Sequence, residues 1–167
     1  MKYERFEQLP VWQTAMTLGE RAYALTAHRT FKPLREIRDQ LRRAALSVSN
    51  NIAEGFERGT TAELLSFLYI ARGSAGEVRS ILLFCDRLPA CDDLKSQISD
   101  LKSLAESCSR QIRAWADHLQ STDIPGQRRL NDASRQTWNA DRRTGDFLRK
   151  LQDIRDAVAS SEKPEAE

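Results

Sequence analysis

Two runs on either side of one short break constrain this chain more than anything else in it. They are Ile37–Phe56 (IRDQLRRAALSVSNNIAEGF) and Phe67–Val78 (FLYIARGSAGEV). Each spaces its apolar residues at three and four positions, the signature of an amphipathic helix. Each also puts small residues on its apolar face and ionisable groups where a plain bundle would place leucine. Between them lies Gly59, followed by Thr60 and Glu63, which match the S/T-x-x-E box that opens a helix. The pair therefore predicts a closely specified antiparallel helical hairpin.

The remaining segments extend that hairpin into a bundle. A first helix is predicted from Pro10, tolerated in a first turn, to about His28, with Phe31-Lys32-Pro33 as connector. The second runs from Pro33 or Leu34 to about Phe56 on Leu34, Ile37, Leu41, Ala44, Ala45, Val48 and Ile52, with Gly55 and Gly59 expected to close it. The third is expected over about Ala62 to Leu88, stopping before Pro89. Asp92 or Asp93 is the expected cap of a fourth helix, which reaches Leu119 through Ile98, Leu101, Ala105, Cys108 and Ile112. Short connections between long helices predict an all-α, up-down-up-down antiparallel four-helix bundle over residues 1–120. Residues 121–167 form a C-terminal extension, a polar linker from Ile124-Pro125-Gly126 and a fifth helix at about Gly145 to Ala159. That helix carries Phe147, Leu148, Leu151, Ile154 and Val158, too little to make a core alone. It is expected either to dock, on the bundle, another subunit or a partner, or to stay partly disordered.

Composition narrows the function classes. The chain has 167 residues, 26 basic and 24 acidic, for a net charge of +2. Bulk charge therefore does not drive nucleic-acid binding, and any basic surface must be local. The extension holds nine basic and nine acidic residues, so it is not a basic arm. Cys85, Cys91 and Cys108 lack metal-ligand spacing, and Cys85 and Cys108 fall on apolar faces, which reads as buried free thiols. No metal or cofactor is expected. The N-terminal stretch MKYERFEQLPVW has no apolar core, and no segment is long and apolar enough for a membrane span, so a cytoplasmic protein is expected.

No catalytic motif is present: there is no phosphate-binding glycine loop, HExxH, GxSxG or carboxylate array. His28 and His118 sit near helix ends, where a cation satisfies terminal carbonyls or faces water. The expectation is no enzyme and no catalytic residue. A polar pocket from Asn51, Glu54 and Glu77 at a subunit junction would be the only route to one.

Antiparallel pairing from a turn near Gly59 sets Arg43 across from Gly76 and Glu77, and Ser47 across from Arg72. Two arrangements follow for Arg43: an ion pair with Glu77 supported by Ser47 and Ser74, or a place in solvent. Gly73 and Gly76 inside a helix cost about 2 kcal/mol together relative to alanine. Close approach of another backbone, helix two or a second subunit, is the expected compensation. Asn50 and Asn51 are poor mid-helix residues, so that they and Glu54 are expected to make specific inter-helix or inter-subunit bonds, with exposure to solvent as the other reading. The best basic patch is His28 to Arg43, where Arg29, Lys32, Arg35, Arg38, Arg42 and Arg43 face only Glu36 and Asp39. Lys32, Arg35, Arg38 and Arg42 are the candidate phosphate contacts, three of them on one helical stripe. A solvated face laced with charge pairs is the other reading.

Three phrases carry a family resemblance: F-x-x-L-x-V-W from Phe6 to Trp12, R-R-A-A-x-S-x-x-x-N-I-A-E-G from Arg42 to Gly55, and F-L-x-I-A-R-G-S-x-x-E from Phe67 to Glu77. Together they resemble the four helix bundle protein family, also called 23S ribosomal RNA intervening-sequence or S23 ribosomal proteins. The family's usual proline before the N-I-A-E-G phrase is replaced here by Ser49-Asn50-Asn51. The resemblance implies a homo-oligomeric bundle, a pentameric ring in some relatives, without established enzyme activity. Some members are encoded in ribosomal RNA gene insertions. A related branch, the accessory variability determinant of diversity-generating retroelements, binds nucleic acid and partners a reverse transcriptase. Expected partners are thus a second copy of the chain, structured RNA or DNA, and a protein such as a reverse transcriptase or RNA-processing complex. The alternative is a protein-interaction scaffold that presents its C-terminal helix, with no nucleic-acid role.

Overall fold

A computed structural model describes residues 3–121 and, beyond them, the helical positions Arg149 and Gln152. The chain divides into two compact units, Met1–Arg128 and Arg129–Glu167. The expected fifth helix at 145–159 lies outside the described residues apart from those two positions. Among the described residues of the first unit four α-helices follow one another: α1 (Pro10–Thr26), α2 (Arg35–Glu57), α3 (Thr61–Cys85) and α4 (Lys95–Gln120). Each packs on the next, and α4 closes back on α1, which makes the predicted up-down-up-down bundle.

The core is the set of apolar rows that periodicity marks. Leu18, Leu41, Val48, Ile52, Leu68, Leu82, Ile98, Leu101 and Ile112 are among its fully buried side chains. Small residues let the rows interdigitate, with Ala15, Ala45, Ala71, Ala75 and Ala105 also inaccessible to water. One end is plugged by connectors: Phe31 between α1 and α2, and Cys91 with Leu94 between α3 and α4. At the other end Phe6 meets Trp12 edge to face, with ring centroids 5.2 Å apart.

Helix boundaries follow local chemistry. Thr60 caps α3 as predicted, its Oγ1 accepting from the Glu63 N–H at 3.2 Å and donating to the Glu63 carboxylate at 2.7 Å. Neither Asp92 nor Asp93 caps α4. A 3-10 stretch, Pro89–Leu94, comes first, Leu94 stands at the cap without a side-chain bond, and Asp92 pairs instead with Lys95 at 2.9 Å. The buried Cys91 and Leu94 hold that stretch to the core, which moves the helix start downstream of the aspartates.

Gly55 has a different role from the expected one. α2 continues to Glu57, and no described glycine takes a positive φ. A Cβ on Gly55 would lie 2.6 Å from Phe67 Cβ and 3.2 Å from Leu64 Cδ1. It is therefore a point where α2 and α3 pack too closely to admit a side chain, not a helix stop. Gly73 and Gly76, where close approach of helix two or of a second subunit was expected, have nothing of this chain within 4 Å of a Cβ position. They lie on the outer side of α3.

Candidate nucleic-acid interface

The basic surface at the α1–α2 junction is built by one buried residue between exposed ones. α1 ends at Thr26, whose hydroxyl bonds back to the Ala22 carbonyl at 2.7 Å. The chain turns extended at His28, which starts a 3-10 turn, Arg29–Phe31, with its ring Nδ1 accepting from the Thr30 N–H at 3.4 Å. His28 thus opens the next turn instead of satisfying α1 carbonyls. Phe31 is fully buried, so its neighbours Arg29 and Lys32 stand outward on either side. α2 follows at Arg35, and Leu34 at its cap offers no side-chain acceptor. The first N–H groups of α2 stay open beside Lys32 and Arg35, adding the positive end of the helix dipole to theirs.

The arginine stripe splits into a free part and a committed part. Arg35 is exposed, and neither it, Lys32 nor Arg29 has a side-chain hydrogen bond or ion pair with a described residue. Arg38 donates to Asp39 at 2.8 Å. That bond, with the positive charges of Arg38, Arg43 and Arg42, holds the Asp39 carboxyl below its ordinary range. Arg42 is half-buried, its Nε donating to Thr26 Oγ1 at 2.8 Å and its guanidinium 4.7 Å over the Tyr23 ring. Of the four expected contacts, Lys32 and Arg35 therefore face solvent, while Arg38 and Arg42 are occupied within the subunit. Arg29 joins the free group. The signal for it was the order basic, polar, apolar, basic in Arg29-Thr30-Phe31-Lys32, where an apolar anchor in a connector turns the residues around it outward.

The polar residues of the α2–α3 seam are engaged as well. Ser47 and Ser74 share a hydrogen bond at 2.9 Å across the helices, and Asn51 Nδ2 donates to the Ser47 carbonyl at 2.7 Å and hydroxyl at 2.9 Å. The direct Arg43–Glu77 pair does not form. Both residues are exposed, and Gln40 stands between them, accepting from Arg43 and donating to Glu77. Gln40 reaches across the seam at the level assigned to Arg43, whose own position on α2 points outward. Glu54 pairs with Arg58 at 2.7 Å. Asn51, Glu54 and Glu77 thus have three separate sets of partners.

No group of three or more His, Cys, Asp or Glu among the described residues is arranged to hold a metal ion. All three cysteines are buried and unpaired. Burial pushes the Cys85 thiol up to about 12 and the Cys108 thiol up to about 11, so at neutral pH both are protonated and shielded. No described helix is long and apolar enough to cross a membrane.

Fold and surface together define a small all-α bundle with an open basic crown at one end. The chain belongs to the 23S rRNA-intervening sequence protein family, whose model matches residues 7–114, well over half of its length. No curated protein matches it.

Proposed function

We propose that this protein is a non-enzymatic, homo-oligomeric helical bundle that binds structured nucleic acid, RNA first, through Arg29, Lys32 and Arg35. The observation that carries the reading is that these three cations surround the open N-terminus of α2 with no acidic partner among the described residues. Membership of a family described by a ribosomal RNA element supports RNA as the ligand. Arginine and lysine at a helix N-terminus supply fork, point charge and backbone donors to one phosphate run. Such a site positions a folded backbone without reading bases. That suits an accessory to an RNA-processing complex or a reverse transcriptase.

The test is fluorescence anisotropy of the full chain with a structured RNA and a duplex DNA across a salt series. Arg29→Ala/Lys32→Ala/Arg35→Ala should weaken binding and reduce the log–log salt slope by roughly 0.9 for each phosphate left unneutralised. Absence of binding at low salt, or binding unchanged in the triple variant, would overturn the reading.

A further inference from the structure

We infer that a groove between α2 and α3, at the crown end of the bundle, holds one unpaired guanine base of the bound RNA. The inference rests on the proposed RNA-binding function and deepens it, from phosphates to a base. The groove has a volume of about 310 Å³ and is lined by Glu36, Ile37 and Gln40 of α2 and by Ser80, Ile81 and Phe84 of α3. It begins at the first turn of α2, where Arg35 directly precedes Glu36 and Lys32 comes shortly before both. The crown itself reads no base. A nucleotide whose phosphate lies on Lys32 and Arg35 has this groove beside it.

The apolar walls suit a planar ring. Ile37 and Ile81 are half-buried and packed against the core, which makes them a firm floor. Phe84 is 52% exposed, and its ring has no aromatic or cationic partner among the described residues. An apolar slot beside an open aromatic ring, with a few polar groups, is the usual form of a site for a flat ligand. Unpaired bases are held by stacking on such rings, whereas paired bases keep their faces inside the helix.

The polar groups choose among the bases. Gln40 is already engaged, accepting from Arg43 and donating to Glu77. The Glu36 carboxylate and the Ser80 hydroxyl have no side-chain partner among the described residues. An ionised carboxylate only accepts hydrogen bonds, and it repels phosphate. Among cations that bind a backbone, Glu36 is therefore a cost unless it meets a donor. Guanine sets two donors side by side, N1–H and the N2 amino group, which match the two carboxylate oxygens. Uracil flanks its single donor with carbonyls, and adenine and cytosine place an acceptor beside theirs.

Fluorescence anisotropy of the full chain is the test, with a hairpin RNA carrying guanines in its loop, the same hairpin with uridines there, and a blunt duplex. Wild type should prefer the guanine loop. Phe84→Ala should weaken that complex about tenfold and leave the duplex unaffected. The salt slope should not change, because stacking releases no counterion. Phe84→Trp should keep the affinity. Glu36→Gln removes a negative charge beside the cations, which by itself tightens every RNA. Loss of the guanine contact should instead weaken the guanine loop while the uridine loop binds more tightly. Both residues are exposed, and unchanged helicity shows that the variants fold. Tightening of both loops in Glu36→Gln would leave Glu36 a helix-dipole residue and overturn the proposal. Equal wild-type affinity for the two loops, no effect of Phe84→Ala, or a loss shared by the duplex would overturn it too. In those cases the phosphate site still stands or falls on Arg29→Ala/Lys32→Ala/Arg35→Ala, whereas no RNA binding by wild type removes both.

Discussion

The two halves of the α2–α3 hairpin use the same kinds of residue for opposite ends. On the seam side, the small and polar residues are spent inside the subunit. Gly55 makes room for Phe67, Asn51 bonds Ser47, and Ser47 bonds Ser74. On the outer side, Gly73 and Gly76, which flank Ser74, open onto solvent, and Arg35 has no described partner, nor do Lys32 and Arg29 just before the hairpin. A glycine or an arginine in a helix therefore carries no fixed meaning. What decides is whether a neighbouring element lies across from it. The seam half secures the register of the hairpin, and the outer half offers surface.

The largest expected effect breaks or upholds this contrast directly. Gly55→Ala forces a Cβ to within 2.6 Å of Phe67 Cβ, a clash that no rotamer relieves because both atoms are fixed to backbone. Overpacking of this kind costs about 3 kcal/mol. Gly73→Ala, measured on dilute monomer, should instead gain about 1 kcal/mol from helix propensity. Chemical denaturation of the two variants side by side checks both signs. Equal effects would show that the halves do not differ.

Arg42 marks the border between the halves and gives the next largest effect. Arg42→Ala removes a hydrogen bond to Thr26, whose hydroxyl is buried, and a stack over Tyr23, for a loss of about 2 kcal/mol. Lysine at this position should recover only part, lacking the planar fork. Ser74→Ala comes below it at about 1 kcal/mol, because Ser47 keeps its bond from Asn51. Should Arg42→Ala leave the unfolding midpoint unmoved, the division of the stripe into committed and free arginines would fail.

Much of the fold is legible in the sequence because it rests on local patterns. The row from Leu41 through Ile52 and the Thr60–Glu63 box each specify their element without reference to distant residues. The register is legible too: Gln40–Glu77 and Ser47–Ser74 straddle the level that pairing from Gly59 assigns. Which side chain bridges at that level is not, since Gln40 and Arg43 are one turn apart and only the helix rotation separates them. Gly55 reads as a stop in sequence because the distance that explains it is non-local. Likewise, nothing within α2 distinguishes Arg42 from Arg35. The distinction comes from Thr26 and Tyr23, on another helix.

That last point yields the smallest stability effect and the sharpest contrast with function. Arg35 is exposed at the first turn of α2 with no described partner, so Arg35→Ala should shift stability by less than about 0.5 kcal/mol. Its sign is set by the helix dipole: a cation at an N-terminus is mildly unfavourable, and removing it should stabilise slightly. The same substitution should lower RNA affinity and cut the salt slope by about 0.9. Arg42→Ala should do the reverse, lowering stability while leaving the slope of the folded protein unchanged. Denaturation midpoints and anisotropy on the two single variants give four readings, and only this crossed pattern fits one stripe with two employments. A slope that falls in Arg42→Ala would place phosphate contact in the committed half and erase the distinction between the two halves of the hairpin.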